Sequence, residues 1–327
     1  MTTLVTGGTG FLGRHLARLL AERGDRLRVL ARPGADAGPL RALGAEVVEG
    51  DVGDEASVRA AAAGCGLVFH LAGVVSHRRR DLALLAAVNV DGTRRLLAAV
   101  EPGARVVHVS SVAAVGPASG PDRPADESRA FPEDAARFPY AATKRAGELA
   151  ALEAAAAGAD VVVANPGFLL GPGDVHGVST WPVLAYLRGK VRVTVAGGLS
   201  FVDARDVARG LVALAERGRA GERTILAADA GNLTWDAFFD LVAAVSGTRR
   251  RTVRLPVRLA ALAAAAPGPV SPDEVRAAAR YWFYTAAKAR RELGFTARPL
   301  ADTVADTIGA PAAPVSLPAE PLEEGSG

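Results

Sequence analysis

The sequence predicts an α/β fold in which a doubly wound parallel sheet carries a smaller C-terminal substrate lobe. Two observations predict it. Short apolar runs alternate with helical stretches, and the runs are unbroken Val/Leu segments rather than apolar–polar alternations. Strands covered on both faces read this way, and strand–helix repeats with right-handed crossovers build a doubly wound sheet. In order, Leu4–Thr6 precedes a helix over Leu12–Arg23, and Leu27–Ala31 precedes Pro39–Leu43. Val47–Glu49 precedes Ala56–Ala63, Leu67–His70 precedes Asp81–Val100, and Arg105–Ser110 precedes Ala135–Ala157. Val161–Ala164 closes the series, and beyond Pro166 the rhythm breaks into Gly/Pro-rich loops and scattered helices. The expected organisation is a sheet domain from residues 1–165 and 199–230 and a substrate lobe from 166–198 and 231–310. A Pro/Ala/Glu-rich tail, 311–327, is expected to be disordered.

Composition narrows the class. The chain has 327 residues, 50% apolar and 22% charged, which is the mix of a globular protein large enough for a sizeable core. The net charge of +3 comes from scattered Arg, and Arg78–Arg80 and Arg249–Arg251 are too short for a nucleic-acid footprint. The lone Cys65 excludes an internal disulfide framework and fits a reducing compartment. No signal-peptide pattern follows Met1, so a cytoplasmic location is expected. The most apolar stretch, Leu259–Ala266, is far shorter than the roughly 20 residues that span a bilayer. It reads as a buried or interfacial helix, and no membrane insertion is expected. No His/Cys cluster suggests a metal.

The turn after the first strand is Thr6-Gly7-Gly8-Thr9-Gly10-Phe11-Leu12-Gly13. Gly7 permits a tight turn, Gly10 lets backbone approach a pyrophosphate, and Gly13 lets helix and strand pack closely. The helix N-terminus then offers free N–H groups and a partial positive charge. Together these predict a Rossmann-like dinucleotide site. The end of the second strand reads Ala31-Arg32-Pro33, with no acidic residue for a ribose 2′-hydroxyl. The donor fork of Arg32 suits a 2′-phosphate, which favours NADP(H), with NAD(H) the alternative. Asp51 and Val52, after the third strand, are placed to touch the adenine edge.

Tyr140 and Lys144 form a Y-x-x-x-K pair on one helical face. A free phenol titrates near pH 10, and a neighbouring ammonium is expected to lower that value. Lys144, one of only three lysines, is also placed to hydrogen-bond a ribose hydroxyl. Ser111 ends a buried strand at the edge where ligands bind, placed to polarise a carbonyl, while Ser110 is expected to bond the strand end locally. Asn89 interrupts the Asp81–Val100 helix, either for a functional reason or on a solvated face.

These residues resemble those of the extended short-chain dehydrogenase/reductases of the NAD-dependent epimerase/dehydratase superfamily. The resemblance covers residues 1 to about 310 and rests on Thr6–Gly13, Asp51-Val52, His70-Leu71-Ala72-Gly73, Asn89–Thr93, Ser110-Ser111, Tyr140–Lys144, Asn165-Pro166-Gly167 and Phe201–Ala208. Arg254–Pro256 and Phe283–Phe295 are similar to the dihydroflavonol-4-reductase-like and hopanoid-associated sugar epimerase-like branches. The resemblance implies that Ser111, Tyr140 and Lys144 are catalytic. It implies that Gly7, Thr9, Gly10, Phe11, Leu12, Gly13, Arg32, Asp51, Val52, Leu71, Ala72, Gly73, Asn89 and Lys144 line the cofactor, with Asn165 and Pro166 near the nicotinamide. It also implies a homodimer through the Asp81–Val100 and Ala135–Ala157 helices.

Sugar dehydratases of this superfamily carry Asp-Glu after the catalytic hydroxyl, whereas Val112-Ala113 follow Ser111. The expected activity is NADP(H)-dependent reduction of a ketone or other carbonyl in a small apolar or aromatic molecule. The alternatives are a nucleotide-sugar or sugar epimerase with tightly bound NAD and a non-catalytic NADP-binding sensor. Such sensors typically lack the Tyr–Lys pair. Phe168, Trp181 and His176, with Asp174 nearby, are candidate substrate contacts.

Overall fold

A computed structural model describes residues 1–175, 177–266 and 270–309. Strands β1 (Thr2–Thr6), β2 (Arg26–Ala31), β3 (Glu46–Glu49), β4 (Cys65–His70), β5 (Arg105–Val109) and β6 (Val161–Pro166) fall where the apolar runs predict them. Between them lie α1 (Phe11–Glu22), α2 (Gly38–Ala42), α3 (Glu55–Ala62), α4 (Leu82–Ala86), α5 (Thr93–Ala99) and α6 (Pro139–Ala156). The later strands are β7 (Phe168–Leu170), β8 (Val193–Thr194), β9 (Gly198–Asp203), β10 (Arg223–Leu226), β11 (Asn232–Thr234), β12 (Val253–Arg254) and β13 (Tyr281–Trp282). The later helices are α7 (Trp181–Leu187), α8 (Ala204–Arg217), α9 (Trp235–Ser246), α10 (Val257–Ala263), α11 (Pro272–Ala278), α12 (Ala287–Leu293) and α13 (Leu300–Gly309).

Seven parallel strands form one sheet in the order β10-β6-β5-β4-β1-β2-β3. The chain runs outward from β1 through β2 to β3, then returns to the other side of β1 for β4. That reversal makes β1 and β4 the switch point, where ligands bind outside the strand carboxyl ends. Alternate strand residues enter two cores. Val5, Val29, Phe69, Val107 and Val162 pack under α1 and α8, while Leu4, Leu30, Val68, Val106 and Val163 pack under α3, α5 and α6. Both sets are buried, so no polar alternation survives in the sequence. Each buried Val or Leu contributes about 1.5–3 kcal/mol relative to exposure.

The segment 199–230 is divided between two sheets. β10 joins the large sheet, whereas β9 is the centre of a second sheet with β7, β11 and β13. Its far side is an aromatic core in which Phe201 stacks on Phe238 with centroids 4.0 Å apart and Tyr186 stacks on Phe239 at 4.9 Å. Tyr284 is fully buried, and its hydroxyl lies 3.0 and 2.9 Å from the carbonyls of Val112 and Gly116. It thereby holds the turn that follows Ser111.

The Asp81–Val100 segment is not one continuous α-helix. Residues Ala87–Gly92 form a π-helical turn between α4 and α5. A π turn leaves the regular ladder, and here the Asn89 carbonyl instead accepts the Thr93 hydroxyl at 2.9 Å. This turn packs on α6 so tightly that a Cβ at Gly147 would come 2.2 Å from the Asn89 oxygen. The expected tail, 311–327, lies outside the described residues.

Gly147 sits one turn beyond the Tyr140–Lys144 pair, so its close contact sets the depth of that pair. Gly147→Ala is expected to lower stability by about 1–3 kcal/mol, the usual cost of overpacking. Urea unfolding measures it, and an unchanged or higher midpoint would show that α6 and the π turn are not in tight contact.

Candidate active site

The turn from β1 to α1 is shaped for close approach. Gly7 has φ +70°, and a Cβ there would meet the Ala72 nitrogen at 2.7 Å. A Cβ on Gly13 would fall 2.2 Å from the Gly7 oxygen. Gly10 caps α1 without any side chain, and the first helical turn holds no acidic residue. The N–H groups of Phe11, Leu12 and Gly13 therefore keep their donors and the helix keeps its positive end. Thr9 is fixed by its carbonyl, which accepts Arg14 Nε at 2.9 Å. A bare, uncapped helix start facing a cradle that admits no Cβ fits a pyrophosphate.

The neighbouring strand ends complete the rim. Leu71 N–H donates to the Thr6 carbonyl at 3.1 Å and Ala72 N–H to the Thr6 hydroxyl at 3.2 Å. The same hydroxyl lies 2.7 Å from Nδ1 of the buried His70. Gly73 is exposed, and a Cβ there would lie 3.2 Å from Asn89 Oδ1 and 3.8 Å from Lys144 Nζ. Arg32 is exposed just beyond β2 and joins no ion pair among the described residues. Asp51 Oδ1 accepts Gly53 N–H at 2.7 Å, and Val52 is buried against Gly92.

Asn89 is buried in the π turn rather than on a solvated face. Its amide accepts Val74 N–H at 2.8 Å and donates to the Val74 carbonyl at 3.1 Å and the Thr143 hydroxyl at 3.3 Å. It ties the loop after β4 to α6.

The sheet brings Ser111, Tyr140 and Lys144 to one edge. Ser111 Oγ accepts Ala113 N–H at 3.1 Å. The local bond expected of Ser110 is thus made by Ser111, and the buried Ser110 hydroxyl has no partner among the described residues. Lys144 is buried, and its Nζ donates to the Val109 carbonyl at 2.8 Å. Burial lowers its pKa to about 8, against the opposing pull of the Glu148 carboxylate. The expectation that Lys144 lowers the Tyr140 phenol is not met. Burial raises that phenol, and only the neighbouring Ser111 side chain opposes the rise. The physical reason is the loss of water around the phenolate on burial.

Two participants escaped the sequence reading. Glu148 is fully buried and pairs with Arg145 at 3.1 Å and Arg223 at 3.2 Å. It also accepts Asn165 Nδ2 at 2.5 Å, while the same amide reaches the Ser111 carbonyl at 2.9 Å. Positions 140, 144 and 148 share one helical stripe, a signal that was present. His77, on the exposed loop after β4, lies edge-on to Tyr140 with ring centroids 5.9 Å apart. A loop histidine carries no such signal.

Asn165 and Pro166 end β6, both buried. Of the substrate candidates, Phe168 packs edge-on against Phe201 in the aromatic core, and Trp181 starts α7 and is 36% exposed. The Asp174 carboxylate accepts the N–H groups of Ser179 and Thr180 and is spent on its own loop. His176 lies outside the described residues.

The depressed Lys144 gives a pH signature. Between about 8 and 10.5 the unfolded chain binds this proton and the folded chain does not, so its contribution to stability rises with pH across that window. The unfolding midpoint of the wild type relative to Lys144→Met is therefore expected to rise from about pH 7 to about pH 10. A difference that does not change with pH would contradict a buried, charged Lys144.

Comparison with known proteins agrees with this geometry. Residues 3–227 match the NAD dependent epimerase/dehydratase family. A putative dihydroflavonol 4-reductase from Synechocystis is 34% identical over 93% of this chain and 92% of its own. A Stigmatella aurantiaca protein named 4-hydroxy-2-methyl-3-oxo-4-farnesyl-3,4-dihydroquinoline-1-oxide ketoreductase is 33% identical over 91% and 92%. Among solved structures, a nucleoside-diphosphate-sugar epimerase from Pseudomonas aeruginosa superposes with a TM-score of 0.78 at 28% identity, covering 94% of this chain and 96% of its own. The chain belongs to the NAD dependent epimerase/dehydratase family and is an oxidoreductase of the short-chain dehydrogenase/reductase superfamily.

Proposed function

We propose that this protein reduces a ketone or other carbonyl of a small apolar or aromatic molecule with NADP(H). The observation that carries the reading is the gathering of Ser111, Tyr140 and the buried Lys144 at the carboxyl edge of β5. When bound, the cofactor supplies the hydride for the carbonyl carbon. The Ser111 hydroxyl steadies the carbonyl oxygen, and Tyr140 gives it the proton. Lys144, one turn along the same helical face, is placed to stabilise the phenolate left behind.

The cofactor preference is supported by Arg32, whose guanidinium is exposed and in no ion pair where an acidic residue would select NAD(H). Phe11, Leu12 and Gly13 would hold the pyrophosphate, with Asp51 and Val52 at the adenine, and Lys144 would turn a second N–H to the ribose. Leu71, Ala72, Gly73, Asn165 and Pro166 would flank the nicotinamide side. The apolar substrate class is supported by the relatives named as reductases of a dihydroflavonol and of a farnesylated quinoline oxide. The epimerase-named structural relative keeps sugar epimerisation as a second reading, which Arg32 disfavours.

The lone, buried Cys65 is compatible with the cytoplasm. Leu82, Leu84 and Leu149 are 48%, 53% and 40% exposed on α4 and α6, which supports a homodimer through those helices.

Tyr140→Phe tests the assignment. NADPH consumption with a panel of aryl and alkyl ketones should fall by about 10²–10⁴ in kcat, with NADPH affinity unchanged. Activity within a few fold of wild type would remove Tyr140 from the chemistry.

A further inference from the structure

One surface of the second lobe is built against the usual pattern. On α10 the small Ala260 and Ala261 face inward, while Leu259 and Leu262 are 55% and 73% exposed. Ala263 is exposed too, so residues 259, 262 and 263 make an outward apolar stripe at helical spacing. The β8–β12 ribbon adds Val193 and Val253, 46% and 53% exposed, and Val257 adds a further 38%. Clustered exposed side chains of this size mark an interaction surface.

The charge of the same surface identifies the partner. Residues 187–197 and 247–266 together contain eight Lys or Arg and no Asp or Glu. The fold zips the two segments together. β8 pairs with β12, Val253 N–H donates to the Arg192 carbonyl at 3.0 Å, and Arg250 Nη2 donates to the Leu187 carbonyl at 2.7 Å. Asp240 and Asp236 of α9 pair with Arg249 and Arg254. Arg188, Lys190, Arg192, Arg250, Arg251 and Arg258 are in no ion pair among the described residues, and all six are exposed.

We propose that α10 and the β8–β12 ribbon dock this protein on an anionic lipid surface. Exposed leucines between unpaired cations enter the boundary between headgroups and acyl chains, while the guanidinium groups meet lipid phosphates. Among the described residues no helix is long and apolar enough to cross a membrane, so the contact is peripheral and reversible. Nucleic acid would draw on the same cations but gives no place to the outward leucines. None of its residues belongs to the Ser111, Tyr140 and Lys144 set, and its test reads vesicle binding rather than turnover.

The full-length protein is mixed with sucrose-loaded vesicles of phosphatidylcholine alone or of phosphatidylcholine and phosphatidylglycerol in equal parts, then sedimented. It should pellet with the anionic vesicles, not with the neutral ones, and high salt should release it. Leu259→Glu with Leu262→Glu, and Arg251→Glu with Arg258→Glu, should each weaken that binding by about tenfold or more. NADPH affinity should stay unchanged in both. Wild-type protein left in the supernatant with anionic vesicles would overturn the proposal. So would equal binding by the substituted proteins, retention on duplex DNA without vesicle binding, or an oligomer that the Leu259/Leu262 pair dissociates in solution.

Discussion

The arrangement of the site depends on one buried cation. The Lys144 ammonium sits inside the protein, bonded to the Val109 carbonyl and balanced by Glu148 one turn along the same helix. A charge withdrawn from water is costly unless it is paired and hydrogen-bonded, and here the cost shows as a pKa near 8. Everything around it fixes its depth. Gly147 lets α6 lie against the Asn89 carbonyl, Asn89 ties the loop after β4 to α6, and Asn165 links Glu148 to the Ser111 turn. Tyr284 clamps that turn from the other side.

The large sheet was legible because its strands are buried on both faces and written as unbroken Val/Leu runs. The second sheet was not, because β7, β11 and β13 are two or three residues long and carry no period. The π turn was invisible for another reason. Its signal is a single Asn in an otherwise helical stretch, which fits a solvated face as well as a buried bridge until the packing partner Thr143 is known.

Within the site, the local signals were the readable ones. The glycine turn and the Tyr–Lys spacing lie within single elements, where geometry follows from spacing. Glu148 and His77 act through partners on other elements, and the direction of the Tyr140 shift follows from burial, which no motif records.

The proposed NADP(H)-dependent carbonyl reduction requires a cofactor that is exchanged at each turnover. The most direct test is to denature the purified protein, chromatograph any released nucleotide, and titrate the empty protein with NADPH and NADH. An exchanging reductase should retain no nucleotide and bind NADPH at least about tenfold more tightly, the gain of one charge-assisted contact from Arg32 to the 2′-phosphate. Tightly held NAD, or equal affinity for the two, would contradict it and point to a hydride recycled within an epimerase.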